Sequence, residues 1–386
     1  MTPDDPTALY RRLIEGPDLQ WSGAVGGAWV CGQYAHCLSL LRDSRLNSGA
    51  SGDFADAGDG ETVLRQTLSR WMVFRDGPEH HRIRQALMAG FGQIAAAEIH
   101  RRAAGVVTRL VDRFGQAGGG DLMREVAWPL PGLVMGTLLG VEEPLLDSLV
   151  GWTQTLADFL REAHPSPDLT ARAMAALGEA RELFAKLIRL RRVKPEDDVL
   201  SGIPRAGSGG AGLDDGELSL QCTQLMFAGH ETVRNFAGGA VLTLLRHPDA
   251  VGELRRDVPG RIRAAVEELA RFDSPARFVR REALEDLDCG GFPVRAGETV
   301  LVCVGAANRD GRRFRNAGDL DILRSDNPHL AFGAGPHACL GANLARILMQ
   351  RLVARLLEVF PVMELRAEPE WSSNPGLKRV AVLQIG

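Results

Sequence analysis

Apolar residues recur at three- and four-residue spacing along most of the chain, and each such run predicts an amphipathic helix. The clearest runs cover 81–91, 99–114, 171–193, 218–247, 264–272 and 341–360. Strand character is confined to a late stretch, FVRREALEDLDCGGFPVRAGETVLVCVG at 278–305, where β-branched residues are interrupted by Gly-Gly and Ala-Gly turn signals. The expected fold class is therefore mainly α with a minor β lobe.

Two glycine-rich stretches punctuate this pattern, NSGASGDFADAGDGE at 47–61 and SGIPRAGSGGAGLDDG at 201–216. The helix that follows the second needs partners on both sides to bury its QCTQLMFAG face, so the stretch reads as a loop inside one domain spanning 1–386. The apolar window WPLPGLVMGTLLGV is too short for a bilayer and holds two prolines, and the N-terminus MTPDDPTALYRRL is unlike a signal peptide. A cytoplasmic monomer without membrane attachment is expected.

The formal net charge is −4 and the charges are interspersed, which leaves no basic stripe for nucleic acid and favours small-molecule chemistry. Six cysteines are scattered without CxxC pairs, so neither a disulfide framework nor a zinc site is signalled. Five of them read as small buried hydrophobes. Cys339 differs, because AFGAGPHACLGANLARILMQ surrounds it with Gly333, Gly335 and Gly341 just before a helix. Glycines there would let a broad, flat cofactor approach the backbone, and a helix N-terminus would favour thiolate over thiol. Such a sulfur can be a nucleophile, a metal ligand or a structural residue; its company decides.

FGAGPHACLG resembles the haem-binding FGxGxHxCxG loop of the cytochrome P450 family, with Phe332, Gly333, Gly335, His337, Cys339 and Gly341 in register. The resemblance implies haem b, with Cys339 as its axial ligand. Glu268 and Arg271 resemble the family's ExxR pair, and their i,i+3 spacing lets the side chains meet on one helix face. AGHETVRN at 228–235 resembles the family's long central helix, implying catalytic roles for Glu231 and Thr232 in delivering protons to dioxygen. GPEHHRIRQAL resembles the family's PEHxRxR helix, so that His80 and Arg84, with Arg281 and His337, would hold the haem propionates.

The likeness extends over nearly the whole chain but departs in places. Where relatives place an Arg or His to complete the ExxR network, Asp319 stands here; it could pair with Arg271 but cannot donate to Glu268, and Arg312, Arg313 or Arg315 would have to substitute. Arg277 falls in a segment that touches substrate in the family, usually with an apolar side chain. A guanidinium there would suit a substrate carboxylate or carbonyl, or would turn to a propionate or a surface acid. Other pocket candidates by register are Trp71, Met72, Phe227, Ala228, Phe278 and Asn374, with Pro375.

By this resemblance the chain is a haem-thiolate monooxygenase acting on a small organic substrate, plausibly in tailoring a secondary metabolite. Electrons would come from a ferredoxin and its reductase using NAD(P)H, docking near basic residues such as Arg82. The alternatives are a peroxide-driven peroxygenase, a redox-independent haem-thiolate enzyme, and a non-catalytic haem sensor or recruitment protein.

Overall fold

The computed structural model describes residues 6–23, 27–48, 59–162, 164–205, 207, 212–371 and 380–386. The chain divides into two compact units, one of Met1–Gly49, Val107–Ala127 and Thr232–Gly386, the other of Ala50–Val106 and Trp128–Glu231. The described residues of the 201–216 stretch fall within the second unit.

All six predicted helices are present, as Gly77–Gln93, Ala96–Gln116, Pro167–Val193, Asp215–Leu245, Val258–Phe272 and Ala342–Val359. Their starts follow local chemistry. Ser166 and Asp257 cap their helices by accepting from the backbone N–H of Leu169 and Gly260, and a proline follows inside the first turn of each. Eight further α-helices occur among the described residues: Thr7–Glu15, Tyr34–Arg42, Asp59–Leu68, Pro129–Leu138, Val199–Gly202, Pro248–Arg255 and Val304–Ala307, each ten residues or shorter, and the longer Glu143–Arg161, which the sequence pattern did not single out.

The first unit contains a five-stranded sheet, in the order Gln20–Ser22, Ala28–Cys31, Thr299–Val302, Val279–Ala283 and Leu46–Asn47. Ala28–Cys31 runs parallel to Thr299–Val302, and the other pairings are antiparallel. Strand material is thus not confined to the late stretch: three of the five strands come from the N-terminal 47 residues, each at most four residues long and without a readable alternation. Leu19, Cys31, Leu40, Val300, Val302 and Leu330 contribute to the core beneath the sheet.

The second unit buries Leu64, Leu68, Trp71, Phe159, Leu177 and Leu220 in one cluster, with Phe227 packed against it. Among the described residues no helix is long and apolar enough to cross a membrane.

Candidate active site

The cysteine loop is built by backbone turns. A 3-10 turn, Gly335–His337, leads to Cys339, whose N–H donates to the carbonyl of Phe332 at 2.8 Å, and the helix Ala342–Val359 begins three residues later. Among the described residues Cys339 is the one exposed cysteine. Cys37, Cys222 and Cys303 are buried, and burial raises their thiol pKa values, that of Cys303 to about 12. Cys289 is half-buried, so Cys339 is the thiol most open to a ligand.

The loop's glycines serve different ends. Gly333 and Gly335 have φ of 69° and 72°, a backbone region that side chains disfavour. At Gly335 a Cβ would also come 2.5 Å from the carbonyl oxygen of Leu41, so this glycine admits the neighbouring helix Tyr34–Arg42 rather than clearing space for a cofactor. Gly341 is the opposite case: a Cβ there would meet nothing within 4 Å. His337 is half-buried at the end of the turn, and Phe332 lies beneath the Arg346 guanidinium, 4.3 Å from the ring centroid.

Glu268 and Arg271, both fully buried, meet as the ExxR spacing predicts, with Arg271 Nε and Nη2 donating to the carboxylate at 2.8 and 2.7 Å. The network differs from expectation in its third member. Arg324 donates from Nε to Glu268 Oε2 at 3.0 Å, and Asn327 Nδ2 and the backbone N–H of Asp321 add further donors. Arg312 and Arg313 are engaged instead by Asp310 and Asp326, and Arg315 gives only its carbonyl, to Arg324. Asp319 does not pair through its side chain; it is exposed, and its backbone carbonyl accepts from Arg271 Nη2 at 2.9 Å. The carbonyls of Asn308 and Ala317 take the Nη1 donors. Asn316, directly before Ala317, adopts the left-handed conformation at φ 49°. The missed signal was Arg324 with Asn327, two donors in backbone that belongs to no regular element.

Glu231 and Thr232 stand on Asp215–Leu245. Residues 218–226 and 233–244 of that helix are buried without exception, yet Ala228 and Thr232 are exposed while Phe227, Gly229 and Glu231 are half-buried. Ala228 and Thr232 are one turn apart, so the opening is a single face. A Cβ on Gly229 would meet nothing within 4 Å from outside its own helix. His230 points elsewhere, buried edge-on to Trp128 at 5.4 Å.

On Gly77–Gln93, His80 is buried and Arg84 half-buried, one turn apart on the same face. Arg281 is buried on the strand Val279–Ala283, where its Nη1 donates to the carbonyl of Arg280. Among the pocket candidates, Trp71 is wholly buried, donates to Thr223 Oγ1 at 3.0 Å and lies 5.0 Å from the Phe227 ring. It is a core residue rather than a lining one. Met72 is also buried, its N–H held by Gln221. Phe278 is half-buried and packs against the cluster of Tyr10, Leu13, Val30 and Cys303. Asn374 and Pro375 lie outside the described residues. Arg82 is not a free docking cation, since it donates to Glu217 and to the carbonyl of Gly212.

A family model described as cytochrome P450 matches residues 23–384. The chain belongs to the cytochrome P450 family. Cytochrome P450 107B1 of Saccharopolyspora erythraea is 35% identical over 94% of this chain and 89% of its own length. The cytochrome P450 monooxygenase PikC of Streptomyces venezuelae is 33% identical over 99% of the chain and 91% of its own. Among solved structures, the bacillaene polyketide synthase cytochrome P450 PksS of Bacillus subtilis superposes with a TM-score of 0.85, at 28% identity, covering 99% of this chain and 96% of that one. This P450 is thus an oxidoreductase of the monooxygenase type whose cofactor is haem b. Residues of the first unit fit that group: an exposed soft sulfur at Cys339, open space at Gly341 and an exposed hydroxyl at Thr232.

Proposed function

We propose that this P450, read as one domain over 1–386, inserts an oxygen atom from dioxygen into a small organic substrate in a secondary-metabolite tailoring step. The observation that carries the reading is the opened face at Ala228 and Thr232 on an otherwise buried helix. A helix interior that abandons burial for one turn gives up apolar stabilisation, and the residues left there are a small one, a hydroxyl and, beside them, a carboxyl.

Haem, when bound, supplies electron transfer and dioxygen activation, with the thiolate pushing electron density toward O–O cleavage. Cys339 Sγ would hold the iron, and His337, Arg281, His80 and Arg84 would receive the propionates. Thr232 Oγ1 holds a proton and an ordered water at the open face, and the Glu231 carboxyl relays protons from solvent to that hydroxyl. Gly229 and Ala228 keep the face wide enough for a small oxidant and a substrate.

Electrons come from an external ferredoxin and its reductase. With Arg82 occupied by Glu217, the exposed Arg42, whose backbone packs against Gly335, is the better docking cation for an acidic partner.

The test is reconstitution with a surrogate ferredoxin, its reductase and NADPH under labelled dioxygen, using ligands found by their haem spin shift. One labelled oxygen atom in the product is expected, together with the thiolate-type spectrum of the reduced carbonyl complex, which Cys339→Ser should abolish. Product formed with hydrogen peroxide alone and not with the electron chain would replace this reading by a peroxygenase. Ligand binding with no oxygen consumption would replace it by a sensor.

A further inference from the structure

Arg277 lies between the helix Val258–Phe272 and the strand Val279–Ala283, and only 8% of it is exposed. Its carbonyl accepts from the Gly305 N–H at 3.2 Å, and three residues earlier the Ser274 hydroxyl accepts from Asn308 Nδ2 at 2.8 Å. Yet Nε and Nη2 of its guanidinium are buried with no hydrogen-bond partner. A cation so placed is costly unless something completes it.

The identity of the two orphaned atoms is informative. In Arg271, Arg346, Arg101 and Arg45 it is the same Nε and Nη2 edge that grips a carboxylate with two parallel bonds. That edge is the guanidinium's natural fork for a planar anion. Nothing around Arg277 fills it. Tyr10 and Cys303, the ionisable groups that feel its charge, are held neutral because burial raises the pKa of each. The Asp273 carboxylate lies over Gly239, where an added Cβ would come 2.8 Å from its Oδ2.

We propose, building on the oxygenase reading, that the Nε and Nη2 edge of Arg277 is a preformed carboxylate site. Its occupant is an acidic group of the substrate or a propionate of the cofactor; either is a planar carboxylate, and the two sources separate by experiment. An acidic substrate would place this enzyme downstream of a reaction that generates or leaves a free carboxylic acid.

The ferric holoenzyme is titrated with a panel of straight-chain and phenyl-substituted carboxylates, each beside its methyl ester, by spin-state shift and by calorimetry. Haem release to apomyoglobin is timed in parallel, and thermal unfolding reports the fold. For a substrate occupant the wild type binds acids about tenfold or more tighter than their esters. Arg277→Gln removes that preference, and Arg277→Lys, which keeps the charge without the fork, retains only part of it. For a propionate occupant the preference is absent and Arg277→Gln and Arg277→Lys both release haem several-fold faster. The proposal is overturned if no acid is preferred and haem release is unchanged in the variants; should Arg277→Gln not fold, the wild-type panel and Arg277→Lys decide alone. Because binding is read rather than turnover, an acid preference without oxygenation would remove the proposed function and leave the carboxylate site standing.

Discussion

Two carboxylates on two long helices, Glu268 and Glu231, show opposite uses of the same side chain. Glu268 is fully buried, and its two oxygens accept from Arg271 twice, from Arg324, from Asn327 and from the Asp321 backbone. Glu231 is half-buried, beside an exposed Thr232, on the one turn where its helix opens. A carboxylate saturated with donors is fixed in place, which suits a structural clamp. One that is half-buried beside an exposed hydroxyl can pass protons to it, which suits a relay. The difference follows from surroundings, not from residue type.

The largest effect should come from breaking the clamp. Glu268→Ala leaves the Arg271 and Arg324 guanidinium groups buried without their anion, at a cost of about 3–5 kcal/mol. Arg324→Ala should follow it closely, since Arg324 Nε bonds the same oxygen. Urea unfolding and haem content after purification measure both; an Arg324→Ala protein as stable as wild type would mean that Arg271 and Asn327 suffice.

How much of this clamp could be read in advance depends on where each member sits. Glu268 and Arg271 share a helix, whose period makes their meeting predictable. Cys339 and its glycines form a contiguous loop that was equally visible, although the sequence did not separate Gly335, which admits a neighbouring helix, from the open Gly341. Arg324 and Asn327 sit in irregular backbone, where spacing carries no direction, so the resemblance alone pointed to the wrong segment and to Asp319. The carbonyls of Asn308, Ala317 and Asp319 have no side-chain signature at all, although they accept three of Arg271's five bonds. A pocket assignment suffered similarly: Trp71 is apolar at a position suited to lining, and only packing shows that it is consumed by the core. The three N-terminal strands were too short to alternate.

On the relay side the expected loss is smaller and confined to chemistry. Thr232→Ala removes the hydroxyl from the open face without touching the core, so stability should hold while product per NADPH falls roughly tenfold to hundredfold. The missing product should appear as hydrogen peroxide. Glu231→Gln should slow turnover with less leakage, since the hydroxyl remains. If Thr232→Ala lowered the unfolding midpoint as much as Glu268→Ala, the distinction between clamp and relay would collapse.

The smallest effect tests whether the clamp's neighbour belongs with it. Glu267 accepts from Arg346 Nε and Nη2 at 2.7 and 3.0 Å and bonds His329 Nε2 at 3.1 Å. Partial burial pushes its pKa up, but the hydrogen bonds and charges of His329 and Arg346 prevail and hold it at about 2, below the ordinary 4.5. A pKa depressed by folding stabilises the native state above the unfolded value and loses that contribution as pH falls from 4.5 toward about 2. Glu267→Gln should therefore cost about 1 kcal/mol at neutral pH, discounted for its partial exposure. The gap to wild type should close as the pH is lowered through that window. Urea midpoints for the two proteins across the acid range decide it: parallel curves would show that the His329 and Arg346 contacts add no net stability, leaving Glu268 to carry the clamp unaided.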